Sequence, residues 1–302
     1  MQHLRPHAHL LSCEICVKRK LINYKKYIQK NIRYLLYVLI NTSFGITGPQ
    51  LKIVATVSSG YNHCNPSELK ARGIKLTNTP NVNSAVAEIV VGLMLGAARR
   101  FTEGLEQVRR PAARGEWEIG FNKVLGQEIR DSTVGIIGFG GIGQTVAKRL
   151  SGFEVARILY TGHNEKPEGK YWAKRQDELL RSSDFVILSV PLNNETHHLI
   201  NSNTLAKMKD NAVLINVGRG DLVDQDALYD ALKDRRISAA GLDVTTPEPL
   251  PRDHKLLTLP NLFVLPHIGS GTVRTRTDMA VLAARNVVAA LLGQPLRSPV
   301  TL

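Results

Sequence analysis

Cysteine is scarce in this sequence, with three (Cys13, Cys16 and Cys64) among 302 residues. So few cannot form a disulfide framework, which points to a reducing compartment and a cytoplasmic location. Cys13 and Cys16 make a lone CxxC downstream of His3, His7 and His9. It lacks a second pair at zinc-finger spacing, so no metal is expected. No apolar run approaches the roughly 18 residues needed to span a bilayer. No stripe of Lys/Arg interleaved with aromatics suggests nucleic acid. Neither a membrane nor a nucleic-acid partner is therefore expected. Acid is nearly missing from residues 1–48, which hold Glu14 alone against eight Lys/Arg and so carry +7 of the total +13. Organelle-targeting peptides share that shortage but are Arg- and Ser-rich, whereas this stretch is Lys-rich.

What is present is long enough for two domains, and its 43% apolar content is ordinary for a globular chain. Residues 1–48 read as an atypical basic leader, within which Ile32–Ile40 is either a buried strand or a short helix. From Leu51 the pattern is regular. LKIVATV (51–57) and GIKLTNTP (73–80) read as strands, and Ser84–Arg100 as an apolar helix with a basic end. Six further β-rich runs follow: Thr133–Ile137, Arg157–Tyr160, Phe185–Val190, Ala212–Asn216, Ala239–Asp243 and Leu262–Leu265. Helix-length stretches such as Gln144–Leu150, Ser202–Lys209 and Gln225–Asp234 separate most of them. Ala280–Leu292 closes the chain as a helix stopped by Gly293 and Pro295. Strands alternating with helices predict an α/β fold with a doubly wound parallel sheet.

The first chemical signal is TVGIIGFGGIGQTVAKRL (133–150), which sets Gly138-x-Gly140-x-x-Gly143 between an apolar strand and a helix. In a Rossmann-type domain the first glycine makes the tight turn, the second admits the pyrophosphate, and the third lets helix and strand pack closely. The helix N-terminus then offers free N–H groups to phosphate. An acid about 20 residues on would hold the ribose hydroxyls of NAD. Here the second strand ends Tyr160-Thr161-Gly162 with no acid, and His163 and Lys166 follow. Cationic donors in place of a carboxylate favour a 2′-phosphate, so NADPH is the expected cofactor. NADH stays open as the alternative, with Glu165 as the ribose acid.

Three later strand ends carry reactive side chains, and ligands bind outside the carboxyl ends of such strands. Arg219 follows the run 212–216, Glu248 follows 239–243, and His267 follows 262–265. A guanidinium grips a carboxylate bidentately, a histidine donates protons near neutral pH, and a carboxylate beside it raises its pKa. Each residue taken alone has a plainer reading, as an ion-pair partner, a turn residue or a strand-end histidine.

These residues sit in stretches that resemble the D-2-hydroxyacid dehydrogenase family: NTPNVNSAVAE, STVGIIGFGGIGQTVAKRL, VPLNNETHHLIN, INVGRGDLVDQDAL, AAGLDVTTPEPLP and LPHIGSGTVRTR. The resemblance runs almost continuously over residues 51–302. It implies reduction of a small 2-keto acid, such as glyoxylate or hydroxypyruvate, to a 2-hydroxy acid. By the same resemblance Arg219 binds the substrate carboxylate and carbonyl region, His267 is the general acid, and Glu248 is its hydrogen-bonded partner. Ser59 and Gly60 present backbone N–H groups to the carboxylate, and Asp243 binds the nicotinamide carboxamide. Gly138, Gly140, Gly141, Ile142, Gly143, Thr161, His163, Pro191 and Gly269 complete the cofactor set.

The resemblance further implies a dinucleotide-binding domain over 83–273 and a smaller flavodoxin-like substrate domain from 49–82 and 274–302. It implies a homodimer formed through the cofactor domain. Departures accompany it. Gly141 stands where members often have Arg, Asn83 where many have Thr, and Gly120 where animal relatives have a second tryptophan after the one matching Trp117. Residues 1–48 do not resemble the βαβ layer that opens the family's substrate domain, so that domain is expected to be incomplete. Two other readings stay open: a nucleotide-sensing binding protein like the corepressors related to this family, and a chain that binds cofactor without turning over.

Overall fold

A computed structural model describes residues 51–109, 124–162, 165–166 and 175–302. The basic leader with its Cys13-Cys16 pair, the run Ile32–Ile40, Trp117, Gly120 and His163 lie outside the described residues. Along the chain come β1 (Ile53–Ala55), α1 (Pro66–Ala71), β2 (Lys75–Thr77), α2 (Asn83–Ala98), α3 (Phe101–Arg109) and β3 (Thr133–Ile137). Next are α4 (Gly141–Leu150), β4 (Arg157–Thr161), α5 (Gln176–Ser182), β5 (Phe185–Leu188), α6 (Ser202–Leu205) and β6 (Val213–Asn216). The chain ends with α7 (Gln225–Lys233), β7 (Ala239–Leu242), β8 (Leu262–Val264), α8 (Val273–Leu291) and β9 (Pro299–Val300). Two compact units result. One runs up to Val82 and resumes over Ser270–Leu302; the other is Asn83–Gly269.

The smaller unit holds the three-stranded sheet β1-β2-β9, with β1 parallel and β9 antiparallel to β2. Val54, Leu69, Ile74 and Leu76 form its core. Pro66 opens α1 where a missing N–H costs nothing, and the Asn65 carboxamide accepts from the Glu68 amide at 3.2 Å. Asn286 of α8 is fully buried, accepts from the Arg297 amide at 2.8 Å and donates to the Ser298 hydroxyl at 2.8 Å. That hydroxyl donates in turn to the Asn78 carbonyl at 2.6 Å, which fixes the chain entering β9 beside the end of β2.

The larger unit is built on six parallel strands in the order β4-β3-β5-β6-β7-β8. Every position of β5, β6 and β7 is buried, which requires cover on both faces and matches their near-continuous apolar sequences. α2 supplies part of that cover, packing on β6, β7 and β8 and on α4, while α5 packs on β3 and β4. This is the doubly wound parallel sheet expected from the sequence. β3 has β4 on one side and β5 on the other, so the strand order reverses there. A crevice opens at such a reversal, outside the carboxyl ends of the strands.

Among the described residues no helix is long and apolar enough to cross a membrane.

Candidate active site

The glycine loop lies at that reversal. Gly138 leaves β3 with φ 97°, a left-handed backbone that glycine alone adopts cheaply. A Cβ added there would stand 2.7 Å from Val190 Cγ1 and 2.8 Å from the Ser189 carbonyl carbon. The Ser189 hydroxyl donates to the Gly138 carbonyl at 2.7 Å, so the ends of β3 and β5 are stitched together, with Pro191 two residues further along the chain. At Gly143 an added Cβ would strike the Gly138 carbonyl oxygen, which is the close helix–strand packing the motif requires. Gly140 caps α4 with no side-chain hydrogen bond, and nothing lies within 4 Å of where its Cβ would be. The first N–H groups of α4, including those of Gly141 and Ile142, thus start a helix with open space beside it. A pyrophosphate fits that cradle.

Gly141 and Asn83, two departures from the family pattern, turn out to be one contact. A Cβ at Gly141 would press on the Asn83 carboxamide, 3.0 Å from its Cγ. The amide therefore occupies the space at the start of α4 into which a side chain at 141 would project, and would have to turn aside for one.

The end of β4 is held against the same loop. Thr161 accepts from the Gly138 amide at 2.9 Å, and Tyr160 stacks on Phe139 with ring centroids 4.1 Å apart. The buried Tyr160 hydroxyl accepts from the Lys166 amide at 2.9 Å and donates to the Lys166 carbonyl at 3.1 Å. That double bond fixes where the chain re-enters after the strand. Glu165, just before it, is exposed.

Arg219, Glu248 and His267 meet beyond the ends of β6, β7 and β8. His267 Nδ1 lies 2.9 Å from Glu248 Oε2, and Glu248 Oε1 accepts from the Thr245 amide at 3.1 Å. The hydrogen bond His267 donates to Glu248 is the largest influence raising the histidine above the ordinary imidazole pKa; burial and the Arg219 charge oppose it, and the charges of Glu248 and Asp243 add to it. Burial alone would raise Glu248, but the bond and charge of His267, the Thr245 amide and the Arg219 charge hold it below the usual carboxylate range. Arg219 donates to the Gly218 carbonyl at 2.7 Å. Burial pushes its guanidinium below the ordinary value, while the Glu248 carboxylate pulls it back. Asn216 shapes the turn that presents it, accepting from the Gly218 amide at 3.0 Å and donating to the Arg219 carbonyl at 2.8 Å.

Asp243 sits at the root of this cluster, 2% exposed. Its carboxylate accepts from the Ile268 and Gly269 amides, both at 2.8 Å, and its carbonyl accepts from the His267 amide at 2.9 Å. Three successive N–H groups are thus gathered on one residue. Burial raises its pKa above the usual carboxylate value against the pull of the two amides. His267 itself has φ 52°, a left-handed conformation costing a non-glycine residue on the order of 1–3 kcal/mol. The Asp243 bonds hold that strained turn in place.

Sequence reasoning passed over Gln225. Its carboxamide donates to the Thr246 carbonyl and accepts from the Thr246 amide at 2.9 Å, a two-point clamp on the loop that carries Glu248. The only trace in the sequence is its place at the first position of α7, which says nothing about a partner 21 residues away. Ser59 and Gly60 lie in the smaller unit, in the loop after β1. The Ser58 hydroxyl donates to the Gly60 carbonyl at 2.7 Å, and the Asn78 amide group donates to the Ser59 carbonyl at 2.7 Å.

A parallel six-stranded sheet, a dinucleotide cradle and an Arg–Glu–His cluster at its strand ends define a nucleotide-dependent oxidoreductase of the 2-hydroxyacid type. Residues 91–269 match the family model "D-isomer specific 2-hydroxyacid dehydrogenase, NAD binding domain", and the chain belongs to that family. It is 46% identical over 261 residues to the glyoxylate reductase/hydroxypyruvate reductase of Homo sapiens, covering 84% of this chain and 78% of the relative. Glyoxylate/hydroxypyruvate reductase B of Pectobacterium atrosepticum is 46% identical over 253 residues, covering 82% and 78%. Among solved structures, an NADPH-dependent glyoxylate/hydroxypyruvate reductase from Sinorhizobium meliloti, in complex with NADP and malonate, superposes with a TM-score of 0.75. It is 34% identical and covers 84% of this chain and 78% of its own.

Proposed function

We propose that the chain reduces glyoxylate, hydroxypyruvate or a similarly small 2-keto acid to the 2-hydroxy acid with NADPH. The observation that carries this reading is the His267–Glu248 pair at 2.9 Å, set beside a desolvated Arg219 at neighbouring strand ends. Arg219 binds the substrate carboxylate through its planar fork. His267 donates its proton to the carbonyl oxygen as negative charge develops there, and Glu248 keeps the ring oriented and charged. The bound dihydronicotinamide supplies the hydride. Gly138, Gly140, Gly141, Ile142 and Gly143 would hold its pyrophosphate, with Pro191 beyond the neighbouring strand β5 and Gly269 beyond the edge strand β8. Asp243 fixes the backbone around His267 and Gly269. Thr161 and Gly162 offer no carboxylate to repel a 2′-phosphate, and Lys166, anchored by Tyr160, supplies positive charge. The reductases of two other organisms cited above support the substrate class, and the NADP-bound relative supports the cofactor.

The test is a steady-state assay of the purified chain with both cofactors and a panel of 2-keto acids. NADPH oxidation with glyoxylate or hydroxypyruvate is expected, with kcat/KM favouring NADPH over NADH by roughly tenfold or more. Cofactor binding without turnover would overturn the reductase reading, and a clear NADH preference would overturn the cofactor assignment.

We further propose a homodimer formed through the larger unit, in the cytoplasm. Phe101, Leu105 and Val108 line one face of α3 and are 47%, 47% and 56% exposed. Three large apolar side chains at i, i+4 and i+7 in water suit a helix that packs on a second copy. Leu105→Glu is expected to convert the dimer to a monomer in light scattering; a wild-type monomer would defeat the proposal.

Gln225 is proposed as a positioning residue. Gln225→Ala frees the Thr246 backbone and lets Glu248 drift from His267. The alkaline limb of kcat is then expected to move to lower pH, and Gln225→Glu, which keeps only the acceptor, to fall between. An unmoved limb would reduce Gln225 to a helix-start residue.

A further inference from the structure

A second cluster of ligating side chains lies on the larger unit, apart from the Arg219–Glu248–His267 group. His197 and His198, in the segment between β5 and α6, stand beside Asp221 of the 3-10 turn after β6. One ligand atom from each lies within 4.8 Å of the other two. The two imidazoles stack with centroids 4.0 Å apart and 21° between their planes. The two histidines lie in a turn in which the His197 amide donates to the Asn193 carbonyl at 2.9 Å. His198 has a left-handed backbone, φ 49°, and the stacked rings share one side.

The base beneath them is rigid. The His198 amide donates to the Asp221 carbonyl at 2.8 Å, Ile200 to Leu222 at 3.0 Å, and Asp224 to Ile200 at 2.8 Å. Ile200 and Val223 pair as a parallel bridge, and Ile200, Leu222 and Val223 are buried in the core. Side chains carried on such a base lose little freedom on binding. His197 remains exposed, so an ion can reach the cluster from solvent.

We propose that His197, His198 and Asp221 form a binding site for a divalent transition-metal ion, Zn²⁺, Ni²⁺ or Cu²⁺. Two imidazole nitrogens and one carboxylate suit ions of borderline softness, whereas Mg²⁺ and Ca²⁺ seek all-oxygen shells. Metal–ligand bonds of about 2.0–2.2 Å hold two ligand atoms no more than roughly 4.4 Å apart. Closing the cluster around an ion requires the stacked rings to turn apart until their in-plane nitrogens converge, and water completes the shell. The bound ion ties the segment after β5 to the turn after β6 and stabilises the native state by mass action.

The experiment is calorimetric titration of the full chain, free of any affinity tag, with NiCl₂ and separately with ZnCl₂. The leader carries His3, His7, His9, Cys13 and Cys16, so the readout is the difference between wild type and variants. His197→Gln with His198→Asn is expected to remove one molar equivalent of Ni²⁺; asparagine is chosen because it tolerates the left-handed backbone. Asp221→Asn should weaken that equivalent by about tenfold or more. A rise in Tm with NiCl₂, present in wild type and absent in the double variant, is the second measurement. Equal stoichiometry and affinity in wild type and a folded double variant would overturn the site. Because the readout is binding rather than turnover, its failure is separate from any failure of the reductase reading.

Discussion

His267→Ala is expected to lower kcat for keto-acid reduction by about 10²–10⁴-fold, the usual worth of a positioned general acid. Nucleotide affinity should stay near that of wild type, because the glycine loop is carried by other strands. The bond between His267 Nδ1 and Glu248 Oε2 at 2.9 Å leaves Nε2 free to give up the proton. Glu248 also raises the His267 pKa, so the charged acid persists to higher pH than a free imidazole would. The sign follows directly. Reduction needs the imidazolium, so kcat/KM is flat at low pH and falls as pH rises through the raised pKa. Oxidation of the 2-hydroxy acid needs the neutral ring and should rise over the same interval. Glu248→Gln keeps a hydrogen-bond acceptor but removes the charge, and it should move both limbs to lower pH. Identical pH profiles for wild type and Glu248→Gln would show that the pair does not set the proton donor. The same shifts bear on stability. The His267 contribution is complete below the ordinary imidazole pKa and is lost as pH rises through its raised value. That of Glu248 is complete above the ordinary carboxylate pKa and is lost as pH falls through its lowered value.

Arg219→Ala should reduce kcat/KM by about 10²–10⁴-fold, because two charge-assisted bonds to a carboxylate contribute roughly 1.5–3 kcal/mol each. Most of the loss is expected in KM, since the carboxylate carries its charge in ground and transition state alike. Arg219→Lys restores the charge without the planar fork and should recover only part. Arg219 is partly buried, which lowers its pKa, yet it stays partly exposed and so open to an arriving anion. Wild-type kcat/KM in Arg219→Lys would mean that the fork is not what grips the substrate.

Much of the larger unit was legible in the sequence because its strands are buried on both faces. Phe185–Leu188 and Val213–Asn216 read as short unbroken apolar runs for that reason. α8 begins at Val273, seven residues before the expected Ala280, because its first turns, VRTRTDM, show no apolar stripe. Its start is marked instead by Thr272, whose hydroxyl accepts from the Thr275 amide at 3.1 Å. The six-residue α1 and seven-residue α5 were passed over because such short helices carry too few turns to set a period. Arg219, Glu248 and His267 were legible because each lies in the short loop that follows a strand. The Gln225 clamp, the Asp243 anchor and the His197–His198–Asp221 cluster were not, since each depends on segments brought together only by the folded sheet.

The contact between Gly141 and Asn83 couples the two positions. Any side chain at 141 has to turn the Asn83 carboxamide aside, since its Cβ would stand 3.0 Å from Asn83 Cγ. Substitutions at the two positions are therefore expected to be non-additive in stability, as for any residues in contact. A library that varies both codons together samples that coupling, and one that varies them singly does not.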